Sequence, residues 1–216
     1  MDKKSRQKLS KQYDELVKKH GYSMRSHVPK GDTYNKAHQE LKFQLVMQQL
    51  DKTDSILDVG CGLGDLAEFC RRGGWKGSYT GIDISKGMVE AARARLKTDD
   101  IYQMDILEDS YDRKHNIVVS IGAIMEKPSY ENPDIYLKRM ITRMFEISTK
   151  CIVFDIFSNK FTDYQDLNKI YVDPVLFLDT LYQLTNQLII INHYNPYQLM
   201  IILFKERSSG WNLERI

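Results

Sequence analysis

Three glycines alternate with other residues in the segment Asp58-Val59-Gly60-Cys61-Gly62-Leu63-Gly64. Glycine adopts backbone angles that other residues avoid, and it lets the main chain approach a ligand closely. An apolar run precedes this segment and a helical pattern follows it, as in the turn between a strand and a helix that binds nucleotides. The segment therefore predicts a loop that contacts a nucleotide-like ligand through its backbone.

The glycine spacing and one neighbouring acid discriminate between ligands. The dinucleotide fingerprint GxGxxG needs glycine where this chain has Asp65, so the spacing is GxGxG instead. Asp58 would repel a pyrophosphate, whereas a carboxylate beside the loop suits a ligand that carries an ammonium and a sulfonium. Together these residues favour a cation-bearing adenosyl ligand over a dinucleotide.

Two further acids are predicted at the ends of later strands. Asp83 lies about 20 residues after the loop, where a carboxylate can accept hydrogen bonds from both ribose hydroxyls. This position suits NAD and S-adenosylmethionine equally. Asp105 follows the third apolar run, where it can accept a hydrogen bond from the exocyclic amine of adenine. Ile84, Met88 and Ile106 are predicted to enclose the adenine ring.

The segments from Ile56 to Leu66, Gly81 to Ser85 and Asp105 to Leu107 together resemble the class I S-adenosylmethionine-dependent methyltransferase family. The resemblance runs from about Tyr34 to Lys205. It implies S-adenosyl-L-methionine as the cofactor and methyl transfer as the activity. It also implies a three-layer α/β Rossmann-like sandwich, whose seven-stranded, mostly parallel sheet has an antiparallel last strand.

The resemblance also assigns roles to particular residues. It implies that Gly60, Cys61 and Gly62 supply backbone against the methionine part of the cofactor. It implies that Asp83 holds the ribose and that Asp105 meets the adenine amine. The floor of the pocket is assigned to Ser120 and the two residues that follow it, with Asp58 beside the loop.

The order of elements along the chain agrees with this fold class. From residue 55 onward, short apolar runs alternate with helical periods, which is typical of a parallel sheet with crossover helices. Two β-rich runs at the end, joined by a turn containing Pro196, predict a closing antiparallel hairpin. The predicted strands are Ser55 to Val59, Tyr79 to Ile84, Ile101 to Met104, Ile117 to Ile121, Cys151 to Phe157, Leu188 to His193 and Gln198 to Phe204.

Two helical patterns precede the first strand. The first, from Lys4 to His20, predicts an amphipathic helix whose lysine-rich face is solvated. In the second, Tyr34, Ala37, Leu41, Leu45 and Met47 are predicted to share a broad apolar face. We expect a helical cap or lid over residues 1–50, an S-adenosylmethionine-binding core over residues 51–206 and a tail over residues 207–216.

Composition limits the partners. The formal charge of +2 supplies no strong field for nucleic acid or an anionic membrane. Three widely spaced cysteines without a CxxC pair indicate a reducing compartment and no structural metal. No apolar run has the length of a membrane span, and the charged start does not resemble an export signal. We therefore expect a cytoplasmic protein with a small-molecule acceptor, without membrane or nucleic-acid partners, whose oligomeric state the sequence leaves open.

Three other interpretations fit the sequence less well. An NAD-dependent oxidoreductase shares the strand, loop and helix and the distant Asp83, but it would need glycine at position 65. A methyltransferase-like binding or scaffold protein has no chemical need for the acids at positions 58, 83 and 105. RNA or protein methylation is disfavoured because the fourth strand lacks the Asp/Asn-Pro-Pro-aromatic signature and Glu126 stands without a second glutamate.

The expected reaction is in-line displacement by an oxygen or nitrogen nucleophile. The sulfonium is already activated, so the protein must chiefly align the nucleophile and exclude water, and a base helps only if the acceptor is a hydroxyl. The sequence assigns the catalytic role to no single residue, and His20, His38 and His115 receive no functional role. Residues 158–169 are predicted to form a lid. The catalytic candidates are His27, Glu126, Asp155 and His193, and the substrate-contact candidates are Tyr34, Met125, Tyr164 and Tyr194.

Overall fold

The structure is a computed structural model that describes residues 3–21, 36–98, 100–128, 131–160 and 166–205. In that part of the chain, no helix is long and apolar enough to cross a membrane. The predicted tail lies outside the described residues. The helices are α1 (Lys3–His20), α2 (Lys36–Met47), α3 (Asp65–Arg72), α4 (Lys86–Leu96), α5 (Pro133–Ile147) and α6 (Pro174–Tyr182). The strands are β1 (Ile56–Val59), β2 (Tyr79–Asp83), β3 (Ile101–Gln103), β4 (His115–Ser120), β5 (Ser148–Ser158), β6 (Tyr171–Val172), β7 (Leu188–Ile191) and β8 (Gln198–Phe204).

The strands form one mixed sheet in the order β3-β2-β1-β4-β5-β8-β7, with the short β6 paired to β5. Strands β1 to β5 pair in parallel, and β8 runs antiparallel to both β5 and β7. This arrangement confirms the predicted fold class and the closing hairpin. Strand β6 was not predicted, because two residues are too few to show alternation.

Local sequence signals set the helix starts. The Ser85 side chain accepts a hydrogen bond from the backbone of Met88 at the start of α4. Asn132 and Asp173 cap α5 and α6 in the same way, each followed by a proline in the first turn. Such caps satisfy backbone N–H groups that have no partner within the helix.

Neighbouring residues of each central strand pack on opposite faces of the sheet. Leu57 and Val118 belong to the apolar cluster under α5 and α6, whereas Ile56 and Ile117 belong to the cluster under α2, α3 and α4. This is the pattern of a parallel sheet covered on both faces. Helix α2, which belongs to the predicted cap, packs in the second cluster together with helices of the predicted core. The boundary between cap and core at residue 50 therefore stays a prediction.

The buried face of α2 differs from the predicted one. Ala37 is exposed and Leu41 is only half-buried. Leu45 is buried as predicted, and the other buried residues are Lys42, Phe43 and Val46. The periodicity was wrong because it excluded lysine from the buried side, and in the fold Lys42 finds a buried acid.

Helix α1 is amphipathic, as predicted, and it packs against α4. Tyr13 and Val17 lie against the cluster that includes Leu63 and Met88. Asp14 accepts hydrogen bonds from the hydroxyl of Ser85 at 2.7 Å and from the backbone N–H of Gly87 at 2.8 Å. The helix therefore covers the segment that follows β2.

Candidate functional site

A cavity of about 570 Å³ lies at the carboxyl ends of the central parallel strands. Ligand pockets commonly measure about 300–1,000 Å³, and open α/β sheets bind ligands at this edge. Val59, Asp83 and Ile121 line it from the ends of β1, β2 and β4, while Leu9 and Tyr13 of α1 lie over it. Helices as well as strand ends therefore line the cavity.

The glycine loop turns through left-handed backbone angles. The φ angles are 76° at Gly60, 52° at Gly62 and 77° at Gly64. Gly60 and Cys61 both donate their N–H groups to the carbonyl of Ile82, at 2.8 and 3.0 Å, and Gly62 donates to the Asp83 carboxylate at 3.0 Å. A pyrophosphate needs such donors for itself, whereas an ammonium needs acceptors. The loop geometry thus favours a cationic ligand over a dinucleotide.

Two glycines on the cavity wall show why side chains are excluded there. A Cβ atom on Gly60 would lie 2.2 Å from the Cβ of Ala123, so the loops after β1 and β4 are in direct contact. Gly122 has a φ of 78°, and a Cβ there would meet nothing within 4 Å. Gly122 also lines the cavity. At these glycines a ligand can approach the backbone closely.

The predicted ribose and adenine residues lie together in the cavity wall. Asp83 accepts hydrogen bonds from the backbone N–H groups of Gly62 at 3.0 Å and Ser85 at 2.8 Å, one on each carboxylate oxygen. An ionised carboxylate offers about four acceptor positions in all. Asp105 accepts a hydrogen bond from the backbone of Leu107 at 3.0 Å. The other members of this group are Ile84, Met88 and Ile106.

Three residues predicted to bind the cofactor lie behind the wall rather than on it. Asp58 is buried and accepts a hydrogen bond from the hydroxyl of Tyr79 at 2.7 Å. Burial, and then the nearby Asp83 and Asp58 carboxylates, raise the pKa of the Cys61 thiol. Ser120 donates its hydroxyl hydrogen to the carbonyl of Val59 at 2.8 Å. Their side chains support the loop, and their direct contact with a ligand stays a prediction.

The other end of the cavity is built from elements far apart in the chain. His38, Gln39 and Lys42 of α2 line it, with Phe157, Asn195, Tyr197 and Gln198. Lys42 donates to the Asp155 carboxylate at 2.7 Å, and Asp155 is fully buried. The second Asp155 oxygen accepts a hydrogen bond from the Gly122 N–H at 2.7 Å. A buried ion pair therefore joins α2 to β5 and to the loop after β4.

The catalytic candidates from the sequence fall in different places. Glu126 lines the cavity, where its carboxylate binds Lys169 and accepts a hydrogen bond from the hydroxyl of Tyr13 at 3.2 Å. Asp155 is held behind the wall by its two partners, and His193 is exposed outside the cavity. His27 lies outside the described residues. Their catalytic roles remain predictions.

Two of the four substrate-contact candidates are described by the structure. Met125 is buried and lines the cavity. Tyr194 lies behind the lining, and the hydroxyl has no hydrogen-bond partner among the described residues. Burial, followed by the nearby Asp155, raises the pKa of Tyr194. Tyr34 and Tyr164 lie outside the described residues, as do residues 161–165 of the predicted lid.

Sequence reasoning missed His38. Its imidazole lines the cavity and packs on the ring of Tyr194, with ring centroids 5.6 Å apart. Burial lowers the pKa of His38, as does the positive charge of Lys42. The spacing of His38 and Lys42, one helical turn apart, was the available signal. It was overlooked because a lone histidine is more often a structural residue.

Comparison with known proteins agrees with this geometry. Residues 56–144 match the model of a methyltransferase domain. A malonyl-[acyl-carrier protein] O-methyltransferase of Priestia megaterium is 28% identical over 101 residues, which cover 44% of this chain and 37% of that protein. A 16S rRNA (guanine(1405)-N(7))-methyltransferase of Proteus mirabilis is 30% identical over 107 residues, 49% of this chain and 34% of that protein. The chain thus aligns with about a third of the length of these relatives.

The fold is also shared with a solved structure. Magnesium protoporphyrin IX methyltransferase from Synechocystis PCC 6803, with bound SAH, superposes with a TM-score of 0.68 at 12% identity. The superposition covers 93% of this chain and 99% of that one. The domain match supplies the sequence evidence, and the sheet order and glycine loop supply the structural evidence. Residues 56–144 therefore match a methyltransferase domain, and the chain is similar in sequence and fold to class I S-adenosylmethionine-dependent methyltransferases.

Proposed function

We propose that the protein binds S-adenosylmethionine in this cavity and transfers its methyl group to an oxygen or nitrogen atom of a small-molecule acceptor by in-line displacement. The observation that carries the proposal is the glycine loop, whose N–H groups are bonded within the protein, next to the carboxylates of Asp83 and Asp105. Such a site suits a ligand with a positive charge, ribose hydroxyls and an adenine amine.

Each part of the cofactor has a matching group. Asp83 would accept hydrogen bonds from the ribose hydroxyls, and Asp105 would accept one from the adenine amine. Ile84, Met88 and Ile106 supply apolar surface for the adenine ring. When bound, the cofactor supplies a methyl group already activated by its sulfonium. The protein must then orient the acceptor and keep water out.

The lining of the cavity supports a small acceptor. Residues of both α1 and α2 line it together with the strand ends, and its volume of about 570 Å³ suits a compact molecule beside the cofactor. With a formal charge of +2, the chain has little general attraction for nucleic acid. The buried free thiols Cys61, Cys70 and Cys151 support the proposal of a reducing, cytoplasmic compartment. Methylation of RNA or protein would be the contrary outcome in the assay below.

Calorimetry with S-adenosylhomocysteine tests the cofactor site. Asp83→Ala should weaken binding by at least about tenfold, since a hydrogen bond to a charged group contributes about 1.5–3 kcal/mol. Asp83→Asn keeps the shape and one acceptor, so its affinity should be intermediate. Asp100→Ala removes an exposed carboxylate outside the cavity and is the matched control.

Loss of Asp83 should also loosen the loop, because the N–H groups of Gly62 and Ser85 lose their acceptor. Denaturation of each variant without ligand separates this effect from lost ligand contacts. Tight NAD binding, with no response to S-adenosylhomocysteine, would contradict the cofactor proposal. Radiolabelled methyl transfer into RNA or protein, rather than into small molecules, would contradict the acceptor proposal.

A further inference from the structure

Helix α2 presents an imidazole to the cavity. His38 and Lys42 lie one turn apart on the helix, and both line the same cavity as Asp83 and Gly122. Within the described chain, His38 is the histidine that lines this cavity. The imidazole therefore shares one continuous space with the predicted ribose site.

A buried chain of polar contacts fixes the position of α2. The Lys42 ammonium binds one Asp155 oxygen at 2.7 Å, and the Gly122 N–H donates to the other oxygen at 2.7 Å. Gly122 belongs to the loop that packs against Gly60. The imidazole is therefore held at a set position relative to the cofactor loop, as a group that meets a reacting atom must be.

The surroundings of His38 keep its imidazole uncharged near neutral pH. Burial and the Lys42 ammonium lower its pKa from 6.5, while the Asp155 carboxylate and a hydrogen bond to the Tyr194 backbone act in the opposite direction. A neutral imidazole that donates from one ring nitrogen has a lone pair on the other. His38 can therefore accept a proton.

The other ionisable candidates are already committed to partners or placed elsewhere. Glu126 binds the Lys169 ammonium and accepts a hydrogen bond from the Tyr13 hydroxyl, so its carboxylate already has two partners. Asp155 is bound to Lys42 and Gly122 behind the wall. His193 is exposed and does not line the cavity.

The lining around His38 indicates the kind of acceptor. Gln39, Asn195 and Gln198 carry amide groups that both donate and accept hydrogen bonds. The Asn195 amide donates to the Gln198 side chain at 3.3 Å, so these two groups are partly oriented already. Phe157 and Tyr197 add ring surface. Such a lining suits a compact polar molecule better than a long acyl chain.

We propose that His38 is the general base of this enzyme and that the acceptor is a small polar compound methylated on a hydroxyl group. This inference rests on the proposed function. As the acceptor oxygen forms its bond to the methyl carbon, the carbon–sulfur bond breaks and its electron pair stays on sulfur, giving S-adenosylhomocysteine. The hydroxyl proton passes to the free ring nitrogen of His38 and then to water.

The test uses the full chain with methyl-tritiated S-adenosylmethionine and a cell metabolite extract divided into water-soluble and lipid fractions. Label should enter the water-soluble fraction and resist mild base, because ethers survive base whereas methyl esters release volatile methanol. His38→Gln should lower this transfer by about 10²- to 10⁴-fold, the usual contribution of a general base. His20→Gln, at the end of α1, is the matched histidine control.

Two further measurements distinguish a base from a structural residue. Transfer by the wild-type protein should fall as pH decreases through the lowered pKa of His38, whereas His38→Gln should lose this acid limb. Calorimetry with S-adenosylhomocysteine should give the same affinity for both proteins. Retained affinity shows that the variant is folded and that the cofactor site is intact.

Results that contradict the role of His38 can be distinguished from results that contradict the proposed function. Full transfer by His38→Gln, an unchanged acid limb, base-labile label, label in lipid, or no acceptor in a protein that binds S-adenosylhomocysteine would each overturn the assignment of His38 and its hydroxyl acceptor. Failure of the wild-type protein to bind S-adenosylhomocysteine would overturn the proposed function instead.

Discussion

The two ends of the cavity are built in different ways. The cofactor end comes from one stretch of chain, residues 58–106, in which successive strands deliver Asp83 and Asp105 to neighbouring positions. The acceptor end joins α2, β5 and the β7–β8 hairpin, and its central ion pair connects residues 113 positions apart. The first end is encoded by short motifs, whereas the second depends on correct long-range packing. The two ends should therefore respond differently to substitution.

The largest effect is expected when the buried ion pair is broken. Lys42→Met leaves the fully buried Asp155 carboxylate without its cation, and such a change typically costs about 3–5 kcal/mol. Urea denaturation should show this loss in the free energy of unfolding. Lys36→Met on the same helix breaks only an exposed pair with Glu40 and should change stability by less than about 1 kcal/mol. Equal effects of the two variants would contradict the distinction between buried and surface pairs.

Gly60→Ala tests the cofactor end. The added Cβ would lie 2.2 Å from the Ala123 Cβ, at a φ of 76° that disfavours alanine. Overpacking and backbone strain together should cost about 2–4 kcal/mol and should weaken S-adenosylhomocysteine binding. Gly74→Ala, with a φ of 87° and open space around it, isolates the backbone strain. If both variants lose the same stability, the contact between the two loops contributes nothing.

His115, which lies outside both ends of the cavity, provides the reference for the effects of pH. His115 is buried at the start of β4, away from the cavity, and its Nε2 lies 2.6 Å from the Tyr111 hydroxyl oxygen. Burial lowers its pKa from 6.5 to about 4, with a smaller contribution from Arg113. The unfolded chain then binds a proton at higher pH than the folded chain, so this contribution to stability is full above pH 6.5 and is lost as pH falls towards about 4.

The free energy of unfolding should fall by roughly 2 kcal/mol over this pH range. One pKa unit corresponds to about 1.4 kcal/mol, and partial solvation of the His115 imidazole reduces the total. Denaturation at a series of pH values should show a shallower acid decline in His115→Gln than in the wild type. The acid limb of methyl transfer assigned to His38 should persist in His115→Gln. Loss of that limb would show that it reports unfolding rather than chemistry at the acceptor end.

The smallest effect on stability is expected at the helix that covers the cofactor end. Asp14→Ala removes the acceptor for the Ser85 hydroxyl and the Gly87 N–H, and should cost about 1 kcal/mol. Because α1 lies over the cavity, S-adenosylhomocysteine should dissociate faster, as stopped-flow fluorescence or surface plasmon resonance would show. Glu15→Ala, an exposed neighbour on the same helix, is the control. An unchanged dissociation rate would mean that α1 does not restrain the ligand.

The sequence by itself predicted the order of strands and helices along the chain, and several residues that line the cavity, among them Asp83 and Asp105. Glycine spacing, the acids near the ends of the first three strands and helix caps at Ser85, Asn132 and Asp173 are local signals, and each acts within a few residues of its position in the chain. The closing hairpin was predictable for the same reason. Strand ends, by contrast, differed by a few residues, because pairing with β4 and β6 extends β5 beyond its apolar run.

Only the tertiary structure decided which polar side chains the acceptor end contains. Sequence patterns predict that lysine is solvated and that a lone histidine is structural, so neither Lys42 nor His38 was selected from the sequence. Burial of Lys42 is favourable only because Asp155 lies on a distant strand, and Asp58 turns behind the wall because Tyr79 offers it a hydrogen bond at 2.7 Å. These placements follow from the free energy of pairing charges and polar groups across the fold, and one-dimensional spacing does not contain that information.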